Sequence, residues 1–102
     1  MLELRNCCEN CNKDLPAHSK EARICSFECT FCMDCVENLL QEVCPNCGGN
    51  FQPRPIRPAT NLKNNNDLLT YPARKDPVYK PVDLEAHRLL IEKLRSGGHI
   101  QH

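Results

Sequence analysis

At 102 residues, with no Trp, three Phe and two Tyr, the chain is at most one small domain with a tail, too poor in large apolar side chains to hold a core unaided. Formal net charge is zero, but residues 1–50 carry four Lys+Arg against eight Asp+Glu and residues 51–102 carry nine against five; an acidic front half argues against a nucleic-acid reader, which needs a basic folded face. No apolar run approaches a membrane span and the opening Met1-Leu2-Glu3-Leu4-Arg5-Asn6 has no secretion-signal pattern, so the chain is read as soluble and cytoplasmic, where nine cysteines point to metal rather than to disulfides.

In chain order, the first element is Cys8-Glu9-Asn10-Cys11, a pair spaced to bend around a metal ion. Arg23-Ile24-Cys25-Ser26-Phe27-Glu28-Cys29-Thr30-Phe31 has the β-branched and aromatic content of a short hairpin. From Asp34 to Val43 the apolar Val36, Leu39, Leu40 and Val43 recur at i, i+3, i+4 and i+7, which predicts a short helix entered directly from Cys32 and Cys35. Cys44-Pro45-Asn46-Cys47-Gly48-Gly49 is a second tight turn, with proline presetting φ and glycine available for positive φ.

Residues 51–82 hold most of the eight prolines, including Pro53-Arg54-Pro55-Ile56-Arg57-Pro58, and read as an extended linker with a loop at Asn64-Asn65-Asn66. Asp83 is placed to cap a helix over 83–96, in which Leu84, His87, Leu90, Ile91 and Leu94 form one stripe. Ser96-Gly97-Gly98 stops it, and 97–102 read as a disordered end. The stripe calls for a partner, either residues 1–50 or a second copy in a homodimer, with Arg54, Arg57 or Lys80 lying against the acidic front half.

Eight of the nine cysteines form one spaced array, and four thiolates satisfy one tetrahedral Zn²⁺, so the cofactors expected are two Zn²⁺ held in residues 1–50. Two pairings fit. The sequential one puts Cys8, Cys11, Cys25 and Cys29 on one ion and Cys32, Cys35, Cys44 and Cys47 on the other. The interleaved one puts Cys8, Cys11, Cys32 and Cys35 on site 1 and Cys25, Cys29, Cys44 and Cys47 on site 2. Interleaving is favoured, because only two residues separate Cys29 from Cys32 and sequential sites would crowd two negatively charged clusters around that link. Cys7 is the spare, read as an ordinary small side chain near the surface. His18, His87, His99 and His102 are not needed as ligands.

Residues 8–47, with Cys44-Pro45-Asn46-Cys47, resemble a RING-type cross-brace finger in an all-cysteine version. The run from Met1 to Pro58 is more closely similar to a family of short bacterial cysteine-rich proteins, domain of unknown function 1272, through Met1-Leu2-Glu3-Leu4-Arg5, Asp14-Leu15-Pro16, Ala22-Arg23-Ile24-Cys25, Phe27-Glu28-Cys29-Thr30-Phe31-Cys32, Cys44-Pro45-Asn46-Cys47-Gly48-Gly49 and Arg54-Pro55-Ile56-Arg57-Pro58. That resemblance implies zinc binding in a bacterial cytoplasm and brings no activity. The RING resemblance would imply ubiquitin ligation, yet Glu9 and Asn10 stand where a RING carries an apolar contact and Gly48 where it often carries a cation; only Pro45 matches.

The fold class expected is therefore a small metal-stabilised α+β unit: a RING-like, treble-clef zinc-binding head of knuckles, hairpin and one short helix, followed by a proline-rich extended tail ending in a helix. A closed Cys₄ site has no open coordination position, and no catalytic constellation stands elsewhere, so no enzyme activity is expected. The function expected is a non-catalytic zinc module that meets a protein partner, with a thiol redox or metal-responsive switch as the alternative and no membrane role.

Overall fold

The computed structural model describes residues 1–96; the Gly97-Gly98 stop, the disordered end and His99 and His102 lie outside them. The fold is a small α+β unit with a three-stranded sheet and a C-terminal helix. Strands β1 (Ala22–Ile24) and β2 (Thr30–Cys32) form the hairpin, antiparallel with Ala22 opposite Cys32 and Ile24 opposite Thr30. Its turn is closed by the Glu28 amide donating to the Cys25 carbonyl at 3.0 Å and the Cys25 amide to the Cys29 carbonyl at 3.2 Å. Glu28 takes φ 67° there, the left-handed residue that lets five residues reverse a twisted ribbon. A third strand, β3 (Gln52–Pro53), pairs with the other edge of β1 and gives the order β2-β1-β3. Proline is tolerated there because β3 is an outer strand.

Helix α1 (Met33–Asn38) follows β2 directly, with Cys32 as its cap residue and Asp34 complementing the dipole in the first turn. It stops short of the predicted Val43. Gln41 (φ 52°) and Glu42 (φ 66°) turn left-handed, and the Glu42 amide donates to the Val36 carbonyl at 3.0 Å, wrapping the helix end. The wrap still buries Val36, Leu40 and Val43 but leaves Leu39 exposed. Periodicity reported three of the four residues that face inward; it carried no information about where the chain must reverse to bring Cys44 beside Cys25.

The core cluster contains Cys8, Leu15, Ala22, Cys25, Phe31, Cys32, Cys35, Val36, Leu40, Cys44 and Phe51. Five of these eleven residues are cysteines, so nearly half of the core positions carry a thiol in place of a larger apolar side chain. Within the cluster, Phe31 and Phe51 form an edge-to-face pair, with centroids 5.5 Å apart at 79°.

The segment after the sheet is held by arginines in a way that charge counting missed. Arg54 is 4% exposed and meets no carboxylate; it donates to the carbonyls of Arg5 (2.7 Å), Leu15 (3.2 Å) and Pro16 (2.8 Å). Burial pulls its pKa below the ordinary guanidinium value. Arg57 likewise donates to the carbonyls of Tyr71 (2.6 Å) and Leu2 (2.7 Å). Arg54 and Arg57 thus do lie against the front half, but through its backbone: the planar fork serves acceptors that loops leave unpaired. Arg54→Met, which keeps the bulk and orphans three carbonyls, is expected to lose about 3 kcal/mol, read as a lowered denaturation midpoint. Arg54→Lys should recover only a minor part, since one ammonium does not span all three acceptors.

Residues 74–82 then run alongside residues 4–10 in the same direction. The Arg74 amide donates to the Leu4 carbonyl (2.8 Å), the Asn6 side-chain amide to the Lys75 carbonyl (3.0 Å), the Lys80 amide to the Glu9 carbonyl (2.7 Å) and the Val82 amide to Asn10 Oδ1 (2.9 Å). Lys80 therefore engages through its backbone. Helix α2 (Leu84–Ser96) is capped by Asp83, whose Oδ1 accepts from the amides of Glu85 and Ala86, both at 3.1 Å. Its buried residues are His87 and Ile91, with Leu90 and Leu94 half-buried and Leu84 turned out at 47% exposure. His87 Nε2 donates to the Leu40 carbonyl at 2.8 Å, tying the helix to the end of α1. Ile91→Ala should therefore cost roughly 2–4 kcal/mol, whereas Leu84→Ala should stay within about 0.5 kcal/mol; equal effects in thermal melts would show that α2 docks by a different face.

Candidate metal centre

Four chain segments deliver the cysteines, two of them nearly identical turns. In the first, the Cys8 amide donates to the Lys13 carbonyl (2.9 Å) and the Asn12 amide to the Cys8 carbonyl (3.0 Å). In the last, the Cys44 amide donates to the Gly49 carbonyl (2.8 Å) and the Gly48 amide to the Cys44 carbonyl (2.8 Å). The residue after the second cysteine is left-handed in both, Asn12 at φ 63° and Gly48 at φ 78°. Glycine and asparagine are the residues that accept this conformation at least cost. The other two segments are the hairpin turn, with Cys25 and Cys29 at its ends, and the β2–α1 junction, with Cys32 and Cys35.

The sulfurs of Cys8, Cys11, Cys32 and Cys35 all lie within 4.8 Å of one another, and Cys11 Sγ is 3.7 Å from Cys32 Sγ. Sulfurs at about 2.3 Å from a common tetrahedral zinc lie about 3.8 Å apart, so this donor set fits the ion in both chemistry and spacing. A second group unites Cys25, Cys44 and Cys47 within the same limit. Cys29 falls outside it, although it closes the same hairpin turn as Cys25, whose amide donates to the Cys29 carbonyl at 3.2 Å. Two cysteine-rich groups able to hold metal ions are thus present, one of four thiols and one of three with a fourth beside it.

The groups around the sulfurs are mostly N–H donors, as thiolate ligands require. The Phe27 amide donates to Cys25 Sγ at 3.3 Å and Asn10 Nδ2 to Cys35 Sγ at 3.3 Å. Burial raises the pKa of Cys32 and Cys35 in the first group and of Cys29 and Cys44 in the second. Burial also works on Cys11 and Cys25, but hydrogen bonds from the backbone of Lys13 and of Phe27, and from neighbouring thiols, leave both below the ordinary thiol range. Ionisation is thus favoured at Cys11 over Cys32 and Cys35 in the first group, and at Cys25 over Cys29 and Cys44 in the second. A divalent cation at the centre would reverse the resistance to ionisation of the four thiols whose pKa burial raises.

Cys7 corrects an expectation. It is buried, its backbone bridges to Asp14, and its thiol faces the Val78 carbonyl at 3.8 Å, outside both groups. Burial raises its pKa, so it is a packed core residue beneath the tail.

Three residues that matter here were not anticipated from sequence. Asn10 and Asn46 occupy the same place in their turns, and Glu9 between Cys8 and Cys11 is a buried carboxylate accepting from Arg5, Thr30 and Asn46. The repeated Cys-x-Asn-Cys text was the available signal for the asparagines. Nothing local marked Glu9.

Among the described residues, no helix is long and apolar enough to cross a membrane. A family model described as protein of unknown function (DUF1272) matches residues 1–57. An uncharacterized protein of Rhizobium meliloti (strain 1021) is 52% identical over 81 residues, covering 79% of this chain and 89% of its own length. No solved structure matches the chain.

Proposed function

Because the chain belongs to the DUF1272 family, whose description carries no activity, we propose from the site itself that it is a non-catalytic module built on two structural zinc ions and presenting a surface to a protein partner in the cytoplasm. The carrying observation is the first cysteine group, four sulfurs gathered from two distant segments at the spacing of a tetrahedral site. In this reading Cys8, Cys11, Cys32 and Cys35 hold one ion and Cys25, Cys29, Cys44 and Cys47 the other, with Cys29 closing on the metal by a change of side-chain rotamer. The interleaved, treble-clef-like brace then ties the first turn to the β2–α1 junction and the hairpin to the last turn. Four thiolates per ion leave no open position, so the metals supply stability and no Lewis-acid chemistry.

The partner surface we assign to the hairpin tip. Phe27 is 73% exposed between Cys25 and Cys29, so site 2 would fix the presentation of a large apolar side chain. The surface that a ligase-like reading would use is taken up internally: Glu9 is buried, and Asn10 and the Glu9 carbonyl receive the tail at Val82 and Lys80. Native mass spectrometry of the purified chain should show two zinc ions, and cross-linking in a bacterial lysate should give adducts that Phe27→Ala abolishes while metal content stays at two. Adducts unaffected by Phe27→Ala would move the partner surface elsewhere; one ion, or disulfides in place of metal, would overturn the module.

A second reading, a redox or metal-responsive switch, is favoured by Cys29 standing apart from the other site 2 thiols, a donor poised to leave. Reversible loss of one zinc under mild peroxide, with recovery on reduction, would support it over a purely structural role.

A further inference from the structure

The carboxylate of Glu9 is 2% exposed and fully engaged. Its Oε1 accepts from Asn46 Nδ2 at 3.2 Å; its Oε2 accepts from the Thr30 amide at 3.0 Å and from Arg5 Nη1 at 2.8 Å. The Glu9 amide donates back to the Thr30 carbonyl at 3.1 Å. Apart from Arg5, the groups that meet here are placed by different pieces of the metal centre. Glu9 lies inside the first cysteine turn and Asn46 inside the last. Thr30 stands between Cys29 and Cys32, one cysteine from each proposed site.

We propose that Glu9 is a positioning residue that couples the two metal sites, so that an ion bound at one raises the affinity of the other. The inference rests on the two-metal reading above. A buried carboxylate is tolerated only while its donors are in place. With site 2 empty, the last turn is not held, Asn46 leaves Oε1, and the carboxylate becomes short of a donor. With site 1 empty, the turn that carries Glu9 is loose, and Asn46 and the Thr30 amide lose their acceptor. Filling either site restores the shared arrangement, and the gain is reciprocal because it is a single free energy. Direct electrostatics opposes joint filling, since two Cys₄ sites with divalent ions each carry net negative charge. Positive coupling therefore has to come through the chain.

The test is a titration of metal-free, reduced full-length protein with Co²⁺, followed by native mass spectrometry for the number of ions per chain and by the visible spectrum for tetrahedral thiolate coordination. For sites of similar intrinsic affinity, about 100-fold coupling, within the usual range, leaves about one chain in ten with a single ion at half-saturation, against about one in two without coupling. The wild type is expected near the first value. Glu9→Gln, which keeps one acceptor oxygen, should move toward the second, and so should Asn46→Ala. The double variant should be no worse than either single one. Both variants at full loading should keep the wild-type spectrum, so that a lost fold is not mistaken for lost coupling. If Glu9→Gln fills as jointly as the wild type, the coupling runs through the backbone brace and the proposal is overturned. A wild type that never takes up a second ion would overturn the two-metal reading instead, a result distinguishable from the first.

Discussion

Stripping both ions with a strong chelator under reducing conditions is expected to unfold the sheet, α1 and the two cysteine turns together, leaving no cooperative thermal transition. Structural zinc contributes on the order of 10 kcal/mol per site, whereas a domain of this size is stable by roughly 5–15 kcal/mol in total. The core cannot absorb that loss, because five of its eleven residues are the cysteines themselves. Four thiols within 4.8 Å of one another, two of them with pKa values raised by burial, would be held together by a shared cation. Circular dichroism and amide exchange read the outcome. Protection retained by the β1 and β2 amides in excess chelator would mean that Phe31, Phe51, Leu15 and Leu40 suffice for folding, and the metals would be accessories.

The second large effect separates ligands from the spare thiol. Cys32→Ser or Cys44→Ser should each release one ion and cost several kcal/mol, since a serine hydroxyl is a poor zinc donor and its core neighbours are left unpaired. Cys29→Ser is the decisive member: loss of the second zinc places Cys29 on that ion despite its position outside the group of three. Cys7→Ser should keep both ions. Its cost should be about 1 kcal/mol, because the side chain is buried against the Val78 carbonyl, where a hydroxyl can still donate. If Cys7→Ser releases an ion, the first turn uses a different register from the one its hydrogen bonds describe. Native mass spectrometry and urea denaturation of the five proteins, the wild type included, suffice.

Local sequence carried the elements whose causes are local. The hairpin at Arg23–Phe31, the α1 start at the second cysteine pair, the Asp83 cap of α2 and the left-handed Gly48 are all set by residues within a few positions of where they occur. The same holds for the existence of metal-binding groups, since a pair of cysteines two residues apart bends only a short turn. Each of these was legible because its energy is decided by neighbours in the chain.

What lay beyond the sequence were effects that depend on distant segments meeting. Helix α1 ended early because Cys44 has to come beside Cys25 of the hairpin turn, which no periodicity encodes. Cys7 was expected near the surface and is buried because residues 74–82 lie across residues 4–10. Arg54 and Arg57 do lie against the front half, but they cap backbone carbonyls rather than its carboxylates, because loops leave backbone acceptors that no strand or helix satisfies. The contact of Glu9, in the first turn, with Asn46 in the last likewise depends on distant segments meeting. Sequence by itself determined the ligand types and the local turns, because coordination chemistry and backbone sterics act over a few residues. Only the tertiary structure decided which polar groups are buried together, because desolvation makes a carboxylate or guanidinium depend on partners that can lie dozens of positions away along the chain.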